Sequence, residues 1–214
     1  MSADILQGTK TINDKASYGT SHTFNHNNNG QDLFVRLVLH GNAVTLSGFS
    51  ATFNGVAMSL IGSYSDAANY NYILFYYLKS APVGNYSLAL SWTGNGRGTA
   101  IALSLTGVAG YRTFTTAGGN SSPATVAPTT VPGDIVFDAE INYSNTTLTV
   151  GAGQTEEKNT VITDINVAAS YETATATSTT MSWTLAASRA WIIAALPFYG
   201  ASVGDVMVSP MYMV

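Results

Sequence analysis

The sequence predicts an all-β protein, an antiparallel two-sheet β-sandwich built from two interleaved, sequence-similar halves. Three observations carry this expectation. Short apolar runs alternate with polar residues at a period of two, as in half-buried strands. Gly, Pro and β-branched residues interrupt every long run, which leaves no sustained helical pattern. The second half of the chain also repeats the first. Gln31-Asp32-Leu33-Phe34-Val35 reappears as Gly133-Asp134-Ile135-Val136-Phe137, an offset of 102 (134 − 32). Ser91-Trp92-Thr93 recurs as Ser182-Trp183-Thr184, an offset of 91 (183 − 92), and each copy is followed by a lone arginine, Arg97 or Arg189. A repeat of β-type segments implies a scaffold of stacked sheets.

In chain order, residues 1–17 are polar, without a sustained period, and read as an N-terminal arm. A body follows over residues 18–200, and residues 201–214 form a C-terminal tail. A strand is expected at 21–24, then a turn at His26-Asn27-Asn28-Asn29-Gly30, because Asn and Gly accept left-handed backbone. Residues 33–40 alternate strictly and form a strong strand; 44–46 and 49–53 follow, with a hairpin turn at Asn54-Gly55. Residues 70–78 are apolar on both faces, which places that strand under cover on both sides. Strands at 86–92 and 99–105 are expected to pair across the Gly-rich segment between them, and 115–132 links the copies. The second copy supplies strands at 134–142, 146–150, 160–171, 179–185 and 191–199.

Composition narrows the function. Charged residues are 9% of the chain, against roughly 25% in an average soluble domain. A surface of Ser, Thr, Asn and Tyr suits coverage by neighbours or contact with sugar hydroxyls. The net charge is −4 and the eight Lys and Arg are scattered singly, so no nucleic-acid partner is expected. The chain has no cysteine, hence no disulfide framework or thiolate chemistry. No apolar run reaches the ~20 residues of a membrane helix, and no membrane partner is expected. The first residues lack the basic start and apolar core of a signal peptide, which implies synthesis in a host cytoplasm.

No catalytic constellation stands out. His22, His26 and His40 with Asp32 could gather a metal only if the strand at 33–40 did not separate them, so neither a metal site nor a cofactor is expected. Asp138 and Glu140, two apart on one strand, share a face and read as a solvated or interface pair rather than a glycosidase dyad. Asp32 and Asp134 read as turn caps, and Arg97 and Arg189 as caps of turn carbonyls or partners of an aromatic ring. No nucleophile elbow, phosphate loop or zinc helix motif occurs, and the protein is not expected to be an enzyme.

The order of elements resembles a jelly-roll-like β-sandwich module found in phage virion proteins, such as head decoration and fibre proteins, and in bacterial surface proteins. The resemblance spans roughly residues 20–200. Its carriers are the stretch from Phe49 through the Asn54-Gly55 turn to Met58, the run from Ile73 to Gly84, Tyr86 to Trp92, Gly133 to Val136, Gly151 to Glu156, and Met181 to Trp191. It implies a structural or adhesive module. The expectation is therefore a phage virion protein, a capsid decoration (cement) or head-fibre component located on the virion. It would contact other virion proteins, the capsid subunits, through its arms, and would form a homo-oligomer, with a trimer as the natural candidate. Three of the six methionines fall in the last eight residues, and Met207, Met211, Tyr212 and Met213 are the candidate partner interface. The alternative is a carbohydrate-binding receptor-recognition or adhesive module, with Tyr70, Tyr72, Tyr76 and Tyr77 as ligand-facing aromatics and a glycan as partner.

Overall fold

The computed structural model describes residues 5–200. Its sixteen strands form antiparallel sheets, with no helix among the described residues, and the sheets stack as a sandwich. The first half contributes β1 (Leu6–Asn28), β2 (Asp32–Gly41), β3 (Ser47–Phe53), β4 (Val56–Ala57), β5 (Ser59–Asp66), β6 (Asn71–Leu78) and β7 (Gly84–Thr106). These make one seven-stranded sheet in the order β4-β3-β7-β2-β6-β5, with β1 on β7.

The sheet folds over on itself because β1 and β7 run 23 residues each and bend together. Gly19 faces Gly96 at the bend and Lys15 faces Gly98. At Gly98 (φ +157) a Cβ would lie 1.9 Å from the Val38 carbonyl oxygen, so only glycine lets the strands close there. Leu88, Leu90 and Trp92 before the bend and Ala100 and Ala102 after it then share one core with Leu33, Val35, Leu37 and Leu39.

The second half repeats this plan in broken form, with β8 (Val108–Tyr111), β9 (Thr115–Ser121), β10 (Ala124–Val126), β11 (Ile135–Asn142), β12 (Thr149–Val150), β13 (Thr155–Ile162), β14 (Ile165–Thr173), β15 (Met181–Thr184) and β16 (Arg189–Gly200). The larger sheet runs β13-β14-β11-β16-β8 with β9 on β16; the smaller runs β10-β15-β12. β9 and β10 together match β1, and β15 and β16 together match β7. Where the first half bends a continuous strand, the second interrupts it, at Ser122-Pro123 and again between Thr184 and Arg189.

Four expectations are corrected. The halves are stacked rather than interleaved: no named strand of β1–β7 pairs with one of β8–β16. The segment read as an arm is strand from Leu6 onward, laddered to β7 through Lys15. Its polar residues gave no burial signal because β1 lies at a sheet edge. Residues 86–92 and 99–105 are one strand, since the glycines between them bend the chain without reversing it. The run at 160–171 hides a hairpin, with Thr163 in left-handed backbone (φ +62) between β13 and β14.

The repeat register also needs a one-residue shift. Phe34 pairs with Leu103, and Phe137 pairs with Leu196, so the structural offset on the central strand is 103 (137 − 34). The shared Asp-Leu/Ile dipeptide suggests 102, which would place every side chain on the opposite face. Asp32 and Asp134 nevertheless both cap turns: Asp32 accepts from the Ser80 N–H at 2.8 Å, and Asp134 from the Val131 N–H at 2.7 Å.

The two halves meet along their larger sheets. Phe34 stands at the centre of this seam, with Phe75, Phe137 and Phe198 around it at ring separations of 5.3, 5.5 and 4.9 Å. Scarce charges gather here. Lys10 pairs with Glu157 at 3.3 Å, Arg36 with Glu157, Arg97 with Asp164, and Lys158 with Asp14 at 2.7 Å. All four pairs join one half to the other; the remaining pair among the described residues, Arg112 with Asp134, lies within the second half. Arg36 is fully buried; it also donates to the carbonyls of Asp138 (2.9 Å) and Ser170 (3.2 Å). Removing one member of such a pair strands a buried charge and destabilises by about 3–5 kcal/mol. Glu157→Ala should therefore shift the urea midpoint strongly downward, while Arg36→Met with Glu157→Ala should recover much of the loss. An E157A midpoint equal to wild type would show that the pair contributes nothing.

Candidate functional site

The chain enters and leaves the described body at one pole. Leu6 pairs with Thr106, and Gly200 pairs with Val108 beside it. The opposite pole carries the far ends of β2, β6, β11 and β16. There His40 stacks on Tyr143 across the seam at 5.9 Å, and Tyr143 donates to Asp164 at 2.7 Å. The Arg97 guanidinium lies over Tyr18, 4.5 Å from the ring centroid, which matches its expected aromatic partnership. Arg189 is exposed and lines a small cavity of about 260 Å³ with Tyr143, Ser144, Asn145 and Asp164.

A larger groove of about 560 Å³ opens beside it, on the flank of the same pole. One wall is the β5–β6 turn of the first half, with Tyr64, Ser65, Asp66 and Asn69. The other is the β9–β16 edge of the second half, with Gly118, Gly119, Asn120 and Trp191. Trp191 faces Gly119 across the ladder. A Cβ on Gly119 would fall 2.9 Å from Trp191 Cζ2, and one on Gly118 2.9 Å from the Tyr64 hydroxyl. The two glycines thus let the rings approach the β9 backbone. The Trp191 Nε1–H donates to the Ser121 carbonyl at 3.2 Å, which fixes the indole. Asp66 is held by its own turn, accepting from the Ala68 N–H at 3.0 Å and from the Asn69 amide.

The expected ligand-facing aromatics lie elsewhere. Tyr72, Tyr76 and Tyr77 are buried, and Tyr70 is half-buried in left-handed backbone (φ +54). Tyr72 and Tyr76 belong to the first half's core and Tyr77 to the seam, because β6 is covered on both faces. Burial pushes the Tyr76 hydroxyl up to about 12. Met207, Met211, Tyr212 and Met213 lie outside the described residues. The histidines stay apart: His22 sits against the Asn13 carbonyl, His26 between Thr11 and Ser104, and His40 against Asn71. Among the described residues no three His, Asp or Glu converge as metal ligands. The groove residues were invisible in the sequence because Tyr64, Asn120 and Trp191 come from three distant segments; the Gly118-Gly119-Asn120 run reads only as linker.

Asp138 and Glu140 are also displaced from expectation. They share a face, as read, but the face is the sealed interior of the second half. Asp138 accepts from the Ser170 N–H (2.6 Å) and hydroxyl (2.8 Å) and from the Trp183 indole (2.8 Å). Glu140 has only the Asn142 amide, at 2.9 and 3.1 Å. Desolvation raises Asp138 to about 6, against the opposing pull of its hydrogen bonds and Arg36. Desolvation raises Glu140 well above the usual carboxylate range, with the Asp138 charge adding to it.

Comparison with protein-family models, curated proteins and solved structures finds no match for this chain.

The buried acids set a pH dependence. Both bind protons more readily folded than unfolded, so stability falls with rising pH as each deprotonates. The histidines act in the opposite sense: His26, lowered by burial to about 4, and the lowered His22 and His40 reduce stability as pH falls below 6.5. Above about pH 6.5 the histidines are neutral in both states and Asp138 is largely ionised. With those groups spent, any further decline of melting temperature with rising pH comes from Glu140, raised well above the usual carboxylate range, and Glu140→Gln should flatten it. An unchanged slope in E140Q would assign the effect to another group.

Proposed function

We propose that the protein is a non-enzymatic structural component of a phage particle, a capsid decoration or head-fibre protein. It would contact neighbouring capsid subunits and assemble as a homo-oligomer, with a trimer as the proposed state. The observation that carries this reading is the polarity of the body. The described chain enters and leaves at one pole, beside Thr106 and Val108, opposite the pole that carries the groove. The distribution of charge supports it. Seven charged side chains, Lys10, Asp14, Arg36, Arg97, Glu157, Lys158 and Asp164, are paired across the seam between the halves, some buried and some at its rim. A largely neutral exterior packs against neighbours with little charge to desolvate. The resemblance to jelly-roll-like virion modules points the same way. Antibody–gold labelling of purified phage particles should decorate the head, and light scattering should give the mass of a trimer. Absence of label from particles would overturn the assignment.

A second reading, a carbohydrate-recognition or adhesive module, is favoured by the groove at the pole opposite Leu6 and Gly200. The two readings are compatible in a fibre or spike.

A further inference from the structure

We infer that the groove between the β5–β6 turn and the β9–β16 edge is a binding site for a neutral carbohydrate. The inference deepens the recognition reading and is independent of where the protein is carried. At about 560 Å³ the groove falls within the ~300–1,000 Å³ range of small-ligand sites. Its chemistry selects the class. Tyr64, half-buried, supplies the aromatic surface on which the C–H face of a sugar ring packs, while Trp191, buried in the second half's core, backs the β9 strand that forms the other wall. Ser65 and Asn120 supply neutral hydroxyl and amide groups for sugar hydroxyls. None of Tyr64, Ser65 and Asn120 uses its side chain in a hydrogen bond among the described residues, so their polar atoms are available to a ligand.

Charge argues for a neutral ligand. No Lys or Arg lines the groove, and the one charged side chain, Asp66, is already engaged by its own turn. A phosphate or acidic sugar would meet a carboxylate with no compensating cation. The site is also pre-formed. Its walls come from opposite halves, and the halves are locked by the buried Arg36–Glu157 pair, so a ligand need not order a mobile loop.

The full chain would be applied to an array of neutral and acidic glycans, and affinity for the best neutral hit measured by calorimetry. Asn120→Ala and Tyr64→Phe remove one hydrogen-bonding group each while keeping the β9 strand or the ring. Each should weaken binding roughly three- to tenfold, with an unchanged melting temperature. Lys79→Ala, at a separate cavity near the opposite pole, should bind as wild type. Affinity should change little between low and high salt, as expected of an uncharged ligand. Folded protein that binds no neutral glycan, prefers acidic ones, or retains full affinity in both groove variants would overturn the inference. Particle labelling answers separately, so failure here leaves the virion reading standing, and the reverse also holds.

Discussion

Everything at the far pole depends on how Arg36 is buried. Two broad apolar sheet faces attract each other strongly, but burial of apolar area is non-directional and accepts more than one sliding position. A guanidinium with no exposed surface accepts far fewer. Arg36 lies 5.7 Å from the centroid of Phe34 and 5.3 Å from that of Phe137. From there it reaches two carbonyls and a carboxylate of the other half. Any displaced docking leaves its charge in apolar surroundings without those partners. The aromatic cluster supplies the attraction, and Arg36 restricts the alignment in which it is realised.

That constraint propagates to the groove. Tyr64 belongs to a strand of the first half and Trp191 to a strand of the second, so groove width follows from the alignment of the two halves. The Arg97–Asp164 pair and the His40–Tyr143 stack hold the same pole. Lys10 and Glu157 extend the lock to β1, which gives the polar first strand a second role beyond its ladder with β7.

The sequence disclosed the fold class because strand alternation is local. Leu33, Val35, Leu37 and Leu39 mark a buried face, and the Trp92/Trp183 match marks equivalent strands. It concealed what depends on distant partners. Nothing in residues 6–15 marks a strand, since their polar side chains sit at an edge and their ladder partner lies more than 80 residues away. The glycines around Arg97 read equally as a hairpin turn or as a bend. The tyrosines of β6 looked available because a one-dimensional pattern cannot distinguish a ligand face from a sheet-packing face. Arg36 shares its strand face with Phe34 and Val38, and nothing in the local alternation marks that face as the seam.

The repeat also diverged where its topology did not. On the structural offset, Val35, Leu37 and Leu39 correspond to Asp138, Glu140 and Asn142, all on faces that look into their own half. The first half thus fills its interior with aliphatic side chains, whereas the second builds a hydrogen-bonded network around Asp138. The broken strands offer a reason. With β10, β12 and β15 reduced to three, two and four residues, the small sheet has little apolar surface to lay over β11. Directional bonds from Trp183, Ser170 and Gln154 can position such a lid where apolar area alone is scarce. The consequence is an asymmetric molecule. Its first half is held by long continuous ladders and apolar burial, while its second adds a hydrogen-bonded network around buried carboxylates. The second-half wall of the groove feels that difference, because Trp191 packs in the core that the network borders.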